Sequence, residues 1–174
     1  MVNLPSRLFS LLAAAAALAA LASGLPAQVA PGGDFPPLAP AGLTGGTLPE
    51  TAGKVLLVDF WASWCAPCKA SFPAYARLNA AYAGRGLVIV AVSVDESASA
   101  YSAFLAKLKP PFVTLHDSKQ KLVKQVQVPT MPTSYLVDRS GKVRFVHPGF
   151  HGEQTERELQ KEIEALLDEK APSP

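Results

Sequence analysis

Cys65 and Cys68, in Trp64-Cys65-Ala66-Pro67-Cys68-Lys69, are the two cysteines of the chain, and their type and spacing suggest reaction chemistry. Cysteines at i and i+3 of a helical turn have Cα atoms within bridging distance, so the pair can pass between dithiol and disulfide. A free thiol of pKa about 8.5 is only a few per cent ionised at pH 7, and lowering that value to about 7 takes roughly 2 kcal/mol. A helix N-terminus supplies up to about that much, so a Cys65 that caps a helix gains thiolate character without a neighbouring histidine. A permanent staple and a metal site are the competing uses of such a pair. The closed loop is too short to restrict the unfolded chain much, which argues against a staple. His116, His147 and His151 do not lie at ligand spacing from the pair and read as surface or strand-end residues, so no metal and no cofactor is called for.

The pair must be positioned by its neighbours in sequence. Val55 to Trp61 (V-L-L-V-D-F-W) is a continuous β-prone run that suits a strand covered on both faces. A helix follows over Cys68 to Tyr82, with Pro67 tolerated in its first turn and Pro73 expected to kink it. Leu87 to Val94 reads as a second buried strand, and Tyr101, Phe104, Leu105 and Leu108 mark one face of a second helix. This βαβα order predicts that the first two strands are parallel. Ser134 to Val137 and Lys142 to Val146, either side of Asp138-Arg139-Ser140-Gly141, predict a hairpin. Thr155 to Glu158 reads as a capping box, and Leu159, Ile163, Leu166 and Leu167 form the stripe of a closing helix. The expected class is α/β: a βαβ half, then a ββα half, with helices flanking a mixed sheet.

The 174 residues allow one domain with appendages, and a net charge of +2 with 17% charged residues leaves no electrostatic footprint for nucleic acid. Residues 1–24 read as a targeting segment. Arg7 is the single charge before Asp34 and precedes the apolar run Leu8 to Leu21, in the layout of a secretory signal with cleavage after Ala22 or Gly24. The other reading is an uncleaved membrane anchor, although a span needs about 20 apolar residues. Either way the remainder is expected in an extracytoplasmic compartment that tolerates disulfides, periplasmic in a bacterium. Residues 25–46 are rich in Pro, Gly and Ala and read as a linker or extended lead-in without the apolar pattern needed to dock, leaving 47–174 as the working domain.

Val58 to Lys69 (V-D-F-W-A-S-W-C-A-P-C-K) resembles the active-site strand and turn of thioredoxins. Together with Val90 to Ser97 and Met131 to Lys142, it makes residues 47 to about 167 resemble the exported TlpA/ResA-type thiol:disulfide oxidoreductases. The resemblance implies a thioredoxin fold, with an N-terminal hairpin that Phe35 to Leu48 can supply. It also implies Cys65 as attacking thiolate, Cys68 as resolving thiol, and a cis peptide before Pro132 beside the disulfide. Pro129 competes for the cis position, but Pro132 directly precedes the alternating strand. A cis bond there would turn Met131 toward the cysteines, leaving its backbone free to pair with a substrate strand. Asp59 resembles the buried acid of thioredoxins, and burial inside V-L-L-V-D-F-W should raise its pKa, so that it can take the Cys68 proton. No lysine in Leu87 to Val94 is available to pair with it. Glu96 aligns with an acid that the resembled proteins carry near the cysteines, and it can equally favour the start of the next helix. Trp64, Ala66, Pro67, Met131 and Pro132 are the expected substrate-contact residues, with Trp64 also shielding the site; Trp61 reads as packing.

Ala66-Pro67 places no cation between the cysteines, so the couple is expected to be reducing. The expected function is that of a reductant of protein disulfides, such as apocytochrome c haem-attachment cysteines or a respiratory-oxidase copper-site pair. Its partners are then a disulfide-containing protein and a membrane electron donor, with membrane association through the N-terminal segment. The alternative is a copper-binding assembly module on the same fold, which would hold Cu(I) and reduce disulfides poorly.

Overall fold

The computed structural model describes residues 28–170; the targeting segment expected over 1–24 lies outside them. Five strands form one mixed sheet in the order β3-β2-β1-β4-β5. The central strand β1 (Val55–Trp61) is buried at every position, as its unbroken apolar run requires. It is flanked by β2 (Leu87–Ser93), which runs parallel to it, and by β4 (Thr133–Val137), which runs antiparallel. The parallel β1–β2 pair agrees with the βαβα reading, and its crossover is helix α1 (Ala66–Tyr82). This helix continues through Pro73 to Tyr82, and a 3-10 turn over Ala83–Arg85 follows, closed by Gly86, whose φ of 104° turns the chain into β2. Helix α2 (Ala98–Leu108) starts on a Ser97 side chain that accepts the Ala100 N–H at 3.3 Å.

Two elements carry no clear sequence signal: β3 (Val113–His116), parallel to β2, and the six-residue helix α3 (Lys121–Val126). Both are too short to show a period. Asp117 holds the first turn of α3, accepting the Lys121 and Val123 N–H groups at 2.9 Å each. The hairpin of β4 with β5 (Val143–Pro148) forms as read. Helix α4 (Glu153–Asp168) then buries Leu159, Ile163, Leu166 and Leu167 against β1 and α1.

The capping box at Thr155 does not form. The N-cap falls three residues earlier, at Gly152, and the Thr155 hydroxyl accepts the His151 N–H at 3.0 Å. Gly149 and Gly152, at φ 88° and 65°, let the chain turn into the helix before Thr155, which is left buried on the core face of the first turn.

The expected N-terminal hairpin is also absent among the described residues. The segment instead makes two isolated antiparallel bridges, Asp34 to Lys142 beside β5 and Thr44 to His116 on β3. Between them Phe35, Leu38 and Ala41 are buried in the core, with Phe35 5.5 Å from the Tyr135 ring. The Pro/Gly/Ala-rich stretch therefore docks, contrary to the expectation drawn from its composition. Three well-placed apolar side chains suffice where a period is lacking. Phe35→Ala is expected to cost about 3 kcal/mol, lowering the thermal midpoint by about 10 °C. A chain beginning at Thr47 should lose more. An unchanged melting midpoint in both would show that the segment adds nothing to the fold.

Candidate active site

β1 ends at Trp61, and the chain turns through Ala62, Ser63 and Trp64 before α1 begins. The Cys65 N–H donates to the Ala62 carbonyl at 3.1 Å, which closes the turn. Cys65 is the N-cap of α1, and its Sγ accepts the Cys68 N–H at 3.2 Å. This is the capping position from which the amide dipoles favour a thiolate. The sulfurs of Cys65 and Cys68 are bonded, with Cα atoms 5.3 Å apart. Cys65 keeps 4% exposure and Cys68 none, so an incoming sulfur meets Cys65 first. Trp64, at 70% exposure, leaves its indole in solvent beside the motif and does not cover it, whereas Trp61 is fully buried against Phe72 and Phe104.

The loop after β2 clamps this turn through a residue that sequence reasoning missed. Asp95, 3% exposed, accepts the Ser63 N–H at 3.0 and 3.1 Å, the Ser63 hydroxyl at 2.8 Å and the Ser93 hydroxyl at 2.9 Å. Its own carbonyl lies 2.6 Å from Nε2 of His116, whose ring stacks on Tyr101. His116 is thus a buried strand-end residue. Glu96, the neighbouring acid singled out from the sequence, is exposed instead. It lines a groove of about 360 Å³ with Ser63, Trp64 and Gln120.

The Met131–Pro132 peptide is cis. Phe60 pairs with Thr133, so Pro132 comes level with Trp61, at the end of β1 from which the cysteine turn departs. Pro132 is buried and its carbonyl accepts the Gly149 N–H at 2.7 Å, while Met131 is half-buried against the core cluster that contains both cysteines.

Asp59 lies on β1 between Ala91 of β2 and Ser134 of β4, with no exposed surface. Its Oδ1 accepts the Tyr75 hydroxyl of α1 at 2.9 Å, and its Oδ2 is buried without a hydrogen-bond partner. Burial pushes the carboxyl well above the usual range, and the Tyr75 hydrogen bond pulls it back only in part. Tyr75, itself buried beside Asp59, is held well above an ordinary phenol and so stays protonated as a donor. Its place in the sequence, seven residues after Cys68 on the same helix stripe, was the available signal.

A pair of bonded sulfurs at a helix N-terminus, on a thioredoxin-type sheet whose central strand carries a buried carboxyl, can accept and donate two electrons by thiol–disulfide exchange. These features define a thioredoxin-fold thiol:disulfide oxidoreductase. The chain belongs to the Redoxin family, whose pattern matches residues 30–163. Over 119 residues it is 30% identical to thiol-disulfide oxidoreductase ResA of Bacillus thuringiensis subsp. konkukian, covering 68% of this chain and 67% of that protein. It is 33% identical over 102 residues to ResA of Bacillus subtilis, covering 59% of this chain and 57% of that one. The crystal structure of a Chlorobium tepidum protein described as thiol:disulfide interchange protein DsbE superposes with a TM-score of 0.74 at 34% identity. That match covers 80% of this chain and 99% of the other. The protein is accordingly a thiol-disulfide oxidoreductase of the ResA/DsbE type.

Proposed function

We propose that the protein is an exported reductant of protein disulfides. The observation that carries this reading is the Cys65–Cys68 pair in the first turn of α1, with only the uncharged Ala66-Pro67 between the sulfurs. A couple without a cation at that position lacks the means to over-stabilise its reduced form. Potentials of about −270 mV, thioredoxin-like, and about −120 mV, strongly oxidising, differ by roughly 7 kcal/mol, so the identity of the intervening residues matters.

In this reading Cys65 attacks a substrate disulfide as a thiolate and forms a mixed disulfide, releasing one substrate sulfur. Cys68 then gives its proton to Asp59, attacks Cys65 Sγ, and displaces the second substrate sulfur as a thiolate. Trp64, Ala66, Pro67 and Met131 make up the surface on which the substrate segment lies, with Pro132 packed behind it, and Glu96 contributes a secondary acidic group at its edge. The oxidised pair is restored by a membrane electron donor, since an oxidising compartment offers no soluble source. Haem-attachment cysteines of an apocytochrome c, or a copper-site cysteine pair, are the proposed substrates. The ResA and DsbE resemblance and the layout of residues 1–24 support export; among the described residues no helix is long and apolar enough to cross a membrane.

Equilibration of the pair against thiol couples of known potential tests the direction of electron flow. A value nearer about −270 mV than about −120 mV is expected, and one at the oxidising end would make the protein a disulfide donor. Presenting the reduced protein with oxidised peptides of the two substrate classes then decides between them by rate.

A further inference from the structure

The buried carboxyl of Asp59 is reached by a hydrogen bond from α1, the helix that starts at the active-site turn. The Ser71 hydroxyl donates to the Cys68 carbonyl at 2.9 Å. Ser71 and Ser134 are buried beside Tyr75, whose hydroxyl donates to Asp59 Oδ1 at 2.9 Å. Cys68, Ser71 and Tyr75 stand at i, i+3 and i+7 of the helix, and all three, with Asp59 and Ser134, are buried. Asp59 is thus held on one oxygen only, and its other oxygen, Oδ2, has no partner.

We propose that Tyr75 is a positioning residue for disulfide exchange: by occupying Asp59 Oδ1, it leaves Oδ2 as the atom that exchanges a proton with Cys68. This inference rests on the reading of Asp59 as the proton acceptor. During resolution the Cys68 Sγ–H proton passes to Oδ2, Cys68 Sγ bonds Cys65 Sγ, and the substrate sulfur departs with the electron pair. Tyr75 keeps its own proton throughout and stabilises the carboxylate that must be present when Cys68 gives up its proton. Reduction of the oxidised pair runs the proton back from Oδ2 to the departing Cys68 sulfur.

The groups that face Asp59 are few, which makes the effect of Tyr75 readable. Among the described residues they are Tyr75 from α1, Ser134 from β4 and Ala91 from β2, while α4 presents Leu159 and Ile163 to this side of the sheet. Among the described residues Tyr75 is accordingly the side chain that draws the Asp59 carboxyl toward ionisation. A hydrogen bond to a charged acceptor is stronger than one to a neutral acceptor, so its removal falls on the ionised form.

Tyr75→Phe in the whole protein tests this, with an aromatic disulfide as substrate so that the first and second thiol releases report attack and resolution separately. Resolution at pH 7 should slow about tenfold, and the midpoint of its pH profile should move up by about one unit. At high pH the rate should return to that of the unmodified protein, and attack by Cys65 should be unchanged throughout. Ser134→Ala, which keeps both Tyr75 and Asp59 and removes a buried polar neighbour on β4, should leave the midpoint closer to that of the unmodified protein than Tyr75→Phe does. A pH profile that superposes on the unmodified one, while Asp59→Asn remains slow, overturns the role of Tyr75. A pH-independent loss of both steps overturns it too, as the mark of a purely structural residue. Normal resolution in Asp59→Asn brings down the underlying reading instead.

Discussion

Cys65→Ser should abolish disulfide reduction, to below about a thousandth of the unmodified rate, whereas Cys68→Ser should attack once and stop. The difference follows from where α1 puts each sulfur. Cys65 caps the helix and keeps 4% exposure, and Cys68 lies one turn inside with none. A thiol at the capping position is favoured as a thiolate by the unsatisfied amides of the first turn, while a buried one loses the solvation that a thiolate needs. Cys68→Ser therefore retains the nucleophile and lacks the resolver, so it should accumulate a stable adduct on Cys65, visible by mass spectrometry as a one-to-one mixed disulfide. The same variant, exposed to the extracytoplasmic protein pool, should capture the natural substrate. In the reduced protein, limiting alkylation should modify Cys65 before Cys68. Faster labelling of Cys68, or an adduct on Cys68 in the Cys65→Ser variant, would reverse the two roles.

Asp59→Asn is expected to slow resolution by roughly ten- to a thousandfold at pH 7 and leave the first attack much less affected, with recovery as pH rises. Asn cannot accept the proton, so Cys68 must lose it to hydroxide or to solvent, and that route improves in alkali. Glu96→Gln should have a smaller effect, because Glu96 stands in solvent at the groove beside Trp64, not beneath the pair. Normal resolution in Asp59→Asn with slow resolution in Glu96→Gln would move the role to Glu96.

The same substitution has a signature in stability. The folded-state pKa of Asp59 is raised well above its unfolded value, so between those values the folded chain binds more protons than the unfolded one. Stability from this group is therefore complete below the ordinary carboxylate range and is lost as pH rises from that range toward the raised folded value. Asp59→Asn removes the titration, and its stability relative to the unmodified protein should improve as pH climbs. Denaturant midpoints across that range measure it, and a parallel pair of curves would mean that Asp59 is not desolvated.

Local pattern was enough to read β1, α1, β2, α2, the β4–β5 hairpin and the stripe of α4, because each is long enough or apolar enough to declare its own period. The same holds for the reacting pair. The i, i+3 spacing at a strand-to-helix junction is a property of the six consecutive residues Trp64 to Lys69, and the turn that forms there needs little from the rest of the chain. Asp59 was legible as well, since a carboxylate inside an unbroken apolar run has nowhere exposed to go. What the chain order could not supply was the identity of partners brought together from far apart. Tyr75 reaches Asp59 across sixteen residues, and Asp95 grips Ser63 across 32. Both contacts depend on how α1 and the loop after β2 settle on the sheet. Phe35 and Leu38 likewise gain their burial only once β4 and β5 exist to receive them, which is why a stretch read as linker from its prolines and glycines is part of the core. Sequence alone determined which atoms can exchange electrons, because a helical turn is local. Tertiary structure decided which groups hold the turn and the proton, because burial and hydrogen-bond partners exist only after distant segments pack.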